Sequence, residues 1–285
     1  MEKTTIRATA APAFRDEALQ AEASHAIARA QRLLSDGMEG MVFDPEEHKY
    51  FLGTRELRSV SSIVEHFAPF DSLAMAKRCS ANPRHEMYGK DPQDIVAIWK
   101  ERGRMAADEG TRIHEFGEAC YAMHTGGDAS QIPEAIAARV ADGILLPQCG
   151  KEEAAASWWN DLDMSRYVPV AKETRLVNVA AGYAGTMDLL LYDMQSHGYA
   201  LRDYKTNADL YRWFGGYLIP PLSTIKDNDI GKYTVQQTLY MIQLENLGLP
   251  VTSIKLIWLK DDSTYEEVDI HSGYGDLVSY ALTTL

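Results

Sequence analysis

Apolar and polar positions change period several times along this chain, and the changes mark its elements. Residues 13–35 are helix formers with Phe14, Leu19, His25, Ile27 and Leu33 as an imperfect apolar stripe, and Gly37 and Gly40 act as stop signals. From Met41 the pattern shortens. Residues 41–43, a turn at Asp44-Pro-Glu-Glu, then 49–52 and Gly53 predict a hairpin. Arg58-Ser-Val-Ser-Ser-Ile-Val follows, with Ser59 or Ser61 placed to cap a short helix. Pro92 suits a first helical turn, and Ile95, Ile98, Trp99, Arg102, Met105 and Ala106 keep helical spacing. After Gly126-Gly127, helical patterns recur at 132–144 and 152–162. Strand-length runs then appear at 168–177, 186–192 and 201–205. A long aperiodic stretch, 206–232, precedes a helix through Tyr233 and Tyr240 that Gly248-Leu-Pro ends, and residues 251–259 read as a buried strand. This order predicts an α/β fold: a central mixed β-sheet flanked by helices, with a helical N-terminal half. Residues 1–40 form an N-terminal extension and 41–285 one domain.

Bulk properties narrow the class. At 285 residues the apolar content is ample for a core. No run approaches the roughly twenty apolar residues of a membrane span, and no charged-then-apolar signal segment opens the chain. Cys79, Cys120 and Cys149 are widely spaced and form no Cys-x-x-Cys pair, as expected of idle thiols in a reducing compartment. A net charge of −13 argues against coating duplex DNA through a broad basic face, although a local groove can still carry a field of the opposite sign. Cations crowd one region: Lys77, Arg78, Arg84, Lys90, Lys100, Arg102, Arg104 and Arg112. The chain's end carries Asp261, Asp262, Glu266, Glu267, Asp269 and Asp276, read as a solvated surface without balancing cations.

The candidate chemistry centres on Asp203-Tyr204-Lys205-Thr206. Alternate side chains of a strand share a face, so Leu201, Asp203 and Lys205 point the same way. Asp188 lies in the run that can pair alongside. Two carboxylates and an amine converging at strand ends suit metal-assisted phosphodiester hydrolysis: the carboxylates hold a hard divalent cation, and the amine orients water and offsets charge on the phosphate. Upstream, Gly110-Thr111-x-x-His114 places His114 and Glu118 on one helix face. Taken alone, His114 reads as a packed or surface imidazole. His124 reads as surface. Tyr233, Gln236 and Tyr240, spaced by three and four, form one helical stripe. Trp158-Trp159 reads as core packing, with base stacking as the other use of such a pair.

Gly-x-x-Asp188, then Asp203-x-Lys205-Thr, then Tyr233-x-x-Gln236-x-x-x-Tyr240, preceded by Gly-Thr-x-x-His114, resembles the PD-(D/E)XK nuclease superfamily. The similarity is to its RecB-like exonuclease branch, which includes the mitochondrial genome maintenance exonuclease and many phage-encoded nucleases. It covers roughly residues 41–260. The resemblance implies a restriction-endonuclease-like core and a metal-dependent DNA exonuclease acting at single-stranded or duplex ends. In that reading Asp188 and Asp203 bind Mg2+ or Mn2+ with the Tyr204 carbonyl, and His114 completes the site. Glu173 matches the acidic residue of the first core strand, a metal or water ligand or an exposed strand glutamate. Glu118 binds a second metal, holds the histidine or is merely exposed. Lys205 positions the attacking water, Gln236 and Tyr240 orient the lysine or the strand, and Tyr233 faces substrate.

Thr111, Arg102, Arg104 and Arg112 form one substrate wall, and the 213–232 loop forms the other, with Trp213, Phe214 or Tyr217 available for stacking. Some relatives carry an iron–sulfur cluster on four cysteines; this chain has none beyond Cys149, so no cluster is expected. The resemblance further implies a cytoplasmic protein of a bacterial cell, of phage or host origin, acting in DNA processing, recombination or repair. A recombination or strand-annealing partner protein is left open. Two other readings stand: a metal-dependent endonuclease, and a non-catalytic binding module that kept the fold.

Overall fold

The computed structural model describes residues 4–9, 14, 16–45, 47, 49–126 and 129–285. Ala13, Arg15, Glu46 and Gly127, which figure in the expected first helix, hairpin turn and glycine break, lie outside the described residues. In chain order the elements are β1 (Ile6–Arg7), α1 (Glu17–Gly37), β2 (Met41–Asp44), β3 (Lys49–Leu52), β4 (Arg55–Ser59), α2 (Val60–Phe67), α3 (Ser72–Ala81) and α4 (Pro92–His124). After α4 come α5 (Glu134–Ala137), β5 (Val140–Ala141), β6 (Ile144–Leu145), α6 (Gly150–Asp161), β7 (Tyr167–Asn178), β8 (Tyr183–Asp193) and β9 (Gly198–Lys205). The chain continues with α7 (Asp229–Asn246), β10 (Val251–Leu259), β11 (Tyr265–Asp269) and α8 (Gly275–Leu282).

The main sheet runs β11-β10-β9-β8-β4-β3-β2, with β7 also paired to β8. It is mixed: β9–β10 and β4–β8 are parallel, and the other neighbours are antiparallel. Helices cover both faces, so β9 is buried from Gly198 to Tyr204. Leu190, Leu201 and Leu256 pack on one face with α1, α2, α7 and α8. Leu189, Leu191, Tyr204 and Ile257 pack on the other, with α4 and α6. This alternation is what a strand buried on both sides requires. The expected α/β architecture with a central mixed sheet is the observed one.

Several expectations change. The buried stripe of α1 is Ala23, Ala26, Ala30 and Leu34, whereas Leu19 is 42% exposed and His25 is exposed. Alanines bring the helix axis close to β7, a packing signal that a search for large apolar residues overlooks. The helix expected over 132–144 is only the four-residue α5 followed by a hairpin of β5 and β6. Its turn is Asp142-Gly143, both at positive φ (52° and 71°), the conformation that Asp-Gly favours in two-residue hairpins. The acidic end is not an unbalanced surface: in β11, Glu267 meets Lys255 at 2.7 Å and Glu266 meets Lys260 at 2.9 Å. Of the two cap candidates, Ser59 caps α2, accepting from Ser62 N at 3.0 Å.

Among the described residues, no helix is long and apolar enough to cross a membrane. The helix α4 is a single 33-residue element. Its start packs with α3 around Ala76, Cys79, Met87 and Ile95 in a small satellite core. Its last third, from Ile113, belongs to the main body.

Candidate metal and phosphodiester site

The antiparallel ladder of β8 and β9 ends at the pair Leu189–Arg202, and the next residues on each strand are Asp188 and Asp203. The strands therefore part at the carboxylates, while β9 stays paired to β10 as far as Lys205–Trp258. Parting frees backbone groups that must find other partners. Tyr204 N donates to Asp188 Oδ2 at 2.8 Å, and Tyr204 O faces His114 Nε2 at 3.2 Å.

Tyr204 is anchored from the opposite face. Its hydroxyl accepts from Trp159 Nε1 at 2.8 Å, and both side chains are buried. Its ring lies so close to α4 that a Cβ at Gly117 would sit 2.7 Å from Cε2. Trp158-Trp159 is thus core, and Trp159 is also the support under β9. His124, expected at the surface, is 7% exposed and stacks on Trp159 with ring centroids 5.2 Å apart. Its position at the inward face of α4 explains the difference.

His114, Glu173 and Asp188 bring one ligand atom each within 4.8 Å of one another. His114 Nδ1 stands 3.4 Å from Asp188 Oδ2 and 3.6 Å from Glu173 Oε1. Glu173 has a φ of 40°, a left-handed value for a non-glycine residue in the middle of β7. Such backbone costs roughly 1–3 kcal/mol and persists where the surroundings enforce it, commonly at functional positions. Glu173 is half-buried beside His114 rather than an exposed strand glutamate.

Asp203 does not belong to that group. Its carboxylate contacts the Lys205 ammonium, as the shared strand face predicts, but Oδ2 is buried and makes no well-directed hydrogen bond. Lys205 Nζ donates to Gln236 Oε1 at 3.3 Å and lies 4.2 Å over the Tyr233 ring. Tyr233 in turn donates to Asn207 Oδ1 at 2.8 Å. Tyr240 is 3% exposed and lies one turn after Gln236 on the same helix. The helical stripe of α7 therefore grips the lysine from one side.

The electrostatics follow from crowding. Burial, and then the neighbouring Asp203 charge, push the Asp188 carboxyl well up. Burial alone would lower the His114 imidazole, but Asp188 and Glu173 outweigh it and raise its pKa to about 9. Burial likewise works against the Lys205 ammonium, and Asp203, with smaller contributions from Tyr233 and Asp188, raises it above its ordinary value. A fall in the lysine's pKa would require a positive charge that takes up the carboxylates. Carboxylate, imidazole and carbonyl donors of this kind fit a divalent cation. A cation there would also relieve the like-charge crowding.

Other expected residues sit elsewhere. Glu118 binds Lys172 Nζ at 2.7 Å and stays out of the cluster. Arg102 pairs with Glu86, and Arg104 with Glu101 and Asp108, all exposed. Arg112 and Thr111 are exposed on α4. Trp213 is 39% exposed and carries Lys226 Nζ 4.7 Å over its ring, with Phe214 and Tyr217 exposed beside it.

A cavity of about 450 Å3 adjoins the site, lined by His114, Lys205, Tyr233, Asn207, Glu109 and Lys151. Lys151, only 8% exposed, is held by Glu109 at 2.8 Å. No sequence motif points to it. Asn207, by contrast, stands two positions after the lysine and could have been found from that adjacency.

No family model matches the chain, and no curated protein does. Among solved structures the chain is similar to the crystal structure of a putative exonuclease from Eubacterium rectale, at 14% identity over 80% of this chain and 77% of that one, with a TM-score of 0.42. A likeness at that level assigns no function, so the functional reading rests on the site itself.

Proposed function

We propose that this chain is a divalent-metal-dependent DNA exonuclease of the PD-(D/E)XK type, with residues 41–285 as the nuclease domain and 1–40 as an extension. The observation that carries this reading is the convergence of His114, Glu173 and Asp188 beside a lysine held by Asp203 and Gln236. His114, Glu173, Asp188 and the Tyr204 carbonyl would hold the cation. When bound, the cation supplies Lewis acidity toward a phosphoryl oxygen and a more acidic water. Asp203 keeps Lys205 charged and aimed. As an ammonium, Lys205 donates to the attacking water and to the phosphate, offsetting the charge that develops on its oxygens. Gln236 and Tyr233 limit the amine's swing, so little reorganisation accompanies the reaction.

The loop over 206–228 offers Tyr211, Trp213, Phe214 and Tyr217 as exposed rings next to Arg212 and Lys226, a sequence-tolerant platform for bases. Exposed ion pairs such as Arg104–Asp108 are worth little and can be exchanged for phosphate contacts. With a net-acidic remainder, binding is local and weakens as salt rises. The test is digestion of end-labelled linear and covalently closed circular DNA, single- and double-stranded, with Mg2+ or Mn2+. Linear DNA with a free single-stranded end should be degraded and circular single strands spared. Rapid cutting of closed circles would replace the exonuclease with an endonuclease, and inertness toward every DNA form would remove the nuclease reading.

A further inference from the structure

Gln236, which steadies Lys205, also lines a second and smaller cavity of about 150 Å3 together with Tyr50, Ser61, Thr186 and Tyr240. That is about half the lower end, roughly 300 Å3, of ordinary small-molecule sites, so it is too small for a nucleoside. With Ser59 its lining carries five hydroxyl side chains and one amide, beside Val60 and Gly185. Tyr50 and Tyr240 are 2% and 3% exposed, and the Tyr50 hydroxyl lies 3.2 Å from Thr186 Oγ1. Position 185 is glycine where the cavity wall packs tightest: a Cβ there would stand 2.8 Å from Tyr240 Cε1 and 2.9 Å from Val60 Cγ2.

This cavity shares Ser59 with another of about 310 Å3 that carries Lys49, Arg58 and one acid, Glu56. Lys49 is 41% exposed and pairs with exposed Glu47, with Glu56 and Asp44 also near enough to act on it, while exposed Arg58 donates to the Leu285 carbonyl at 2.7 Å. Both can turn to an anion at small cost.

A row of neutral hydroxyls followed by two cations, starting at the group that would handle the scissile phosphate, matches a nucleic-acid backbone. We infer that the hydroxyl cavity takes the phosphate adjacent to the scissile one and that Lys49 and Arg58 take the next. The retained strand then runs over the β2–β3–β4 side, and the larger cavity at Tyr233 receives the terminal nucleotide. The contacts are to phosphate, so they position the strand without reading its sequence. The inference rests on the nuclease reading and deepens it.

The experiment uses oligonucleotides whose second internucleotide linkage from either end is a neutral methylphosphonate. The wild-type chain should cut one of the two with kcat/KM about tenfold below the all-phosphate substrate, the worth of one charge-assisted contact. In Ser61→Ala/Thr186→Val that penalty should shrink to within about twofold. Lys49→Ala/Arg58→Ala alters exposed side chains and should instead remove the sensitivity to neutralising the third linkage. Equal cutting of neutral and charged substrates by the wild type, or an undiminished penalty in the hydroxyl variant, overturns the subsite while leaving the nuclease intact. If no DNA is cut, the nuclease reading has failed separately. Fluorescence anisotropy of the same oligonucleotides then decides the subsite: weaker binding of the neutral form by wild type but not by the variant supports it, and equal binding overturns it.

Discussion

Replacing Lys205 by methionine should damage the fold as well as the chemistry. Lys205 is the cation in contact with Asp203, whose side chain is 2% exposed and whose Oδ2 makes no other well-directed bond. Removing the amine leaves the buried carboxylates of Asp203 and Asp188 next to each other without that cation. Breaking a buried ion pair from one side costs roughly 3–5 kcal/mol. For a chain of this size that is a fall in melting temperature of about 6–20 °C. The assay is thermal and urea unfolding followed by circular dichroism, with chelator present so that no cation substitutes for the amine. Asp203→Asn added to Lys205→Met should restore most of the loss, since the second change removes the stranded charge. If Lys205→Met unfolds within about 1 kcal/mol of wild type, the pair contributes little and the buried-charge argument fails. Loss of cleavage in a lysine variant is evidence for its chemical role only when this stability difference has been measured.

The other predictions concern the supports. Gly117→Ala should drive α4 away from Tyr204, costing about 1–3 kcal/mol by overpacking despite alanine's better helix propensity, and should weaken Mn2+ affinity measured by calorimetry. Tyr204→Phe leaves the Trp159 indole N–H buried and unpaired, an expected loss of roughly 1–3 kcal/mol that Trp159→Phe in the same chain should partly cancel in a double-mutant cycle. His114→Ala should reduce Mg2+-supported cleavage more than Mn2+-supported cleavage, because manganese tolerates more varied ligand sets; equal, negligible losses would return His114 to a packing role. Arg166 bonds both oxygens of Asp193, lowering its pKa to about 2. That carboxylate stabilises the fold fully above its ordinary pKa of about 3.9 and loses the contribution as pH falls toward about 2. The effect is at most about 2 kcal/mol, reduced by screening at the 40% exposed arginine, and Arg166→Met should flatten the acid limb of the melting curve.

Much of this was legible before the structure. The period-2 reading of 201–205 places Asp203 and Lys205 together because strand geometry leaves no other option. The spacing of Tyr233, Gln236 and Tyr240 likewise puts them along one side of α7. What pattern could not weigh was which carboxylate does what. Asp203 and Glu173 are both strand acids, and only the left-handed backbone at Glu173 turns one of them toward His114. Nor could pattern separate the 132–144 segment from a helix, since Ile132, Ile136, Val140 and Ile144 keep helical spacing until the Asp-Gly turn breaks it. Lys151 escaped because its neighbours Glu109 and Asp261 are distant in sequence.

The unbroken run of α4 has a mechanical consequence. From Pro92 to Glu109 the helix spans about 26 Å, at 1.5 Å per residue, and its grip on the main body starts where Glu109 holds Lys151 of α6. It is a lever whose fulcrum lies next to His114. A tilt of about 10° there would carry the satellite end about 4–5 Å while barely moving the imidazole. The histidine can therefore hold its place while the far end sweeps across the approach to the site. Distances between spin labels at positions 97 and 224, measured with and without DNA, would show the sweep, and an unchanged distance would show a fixed beam.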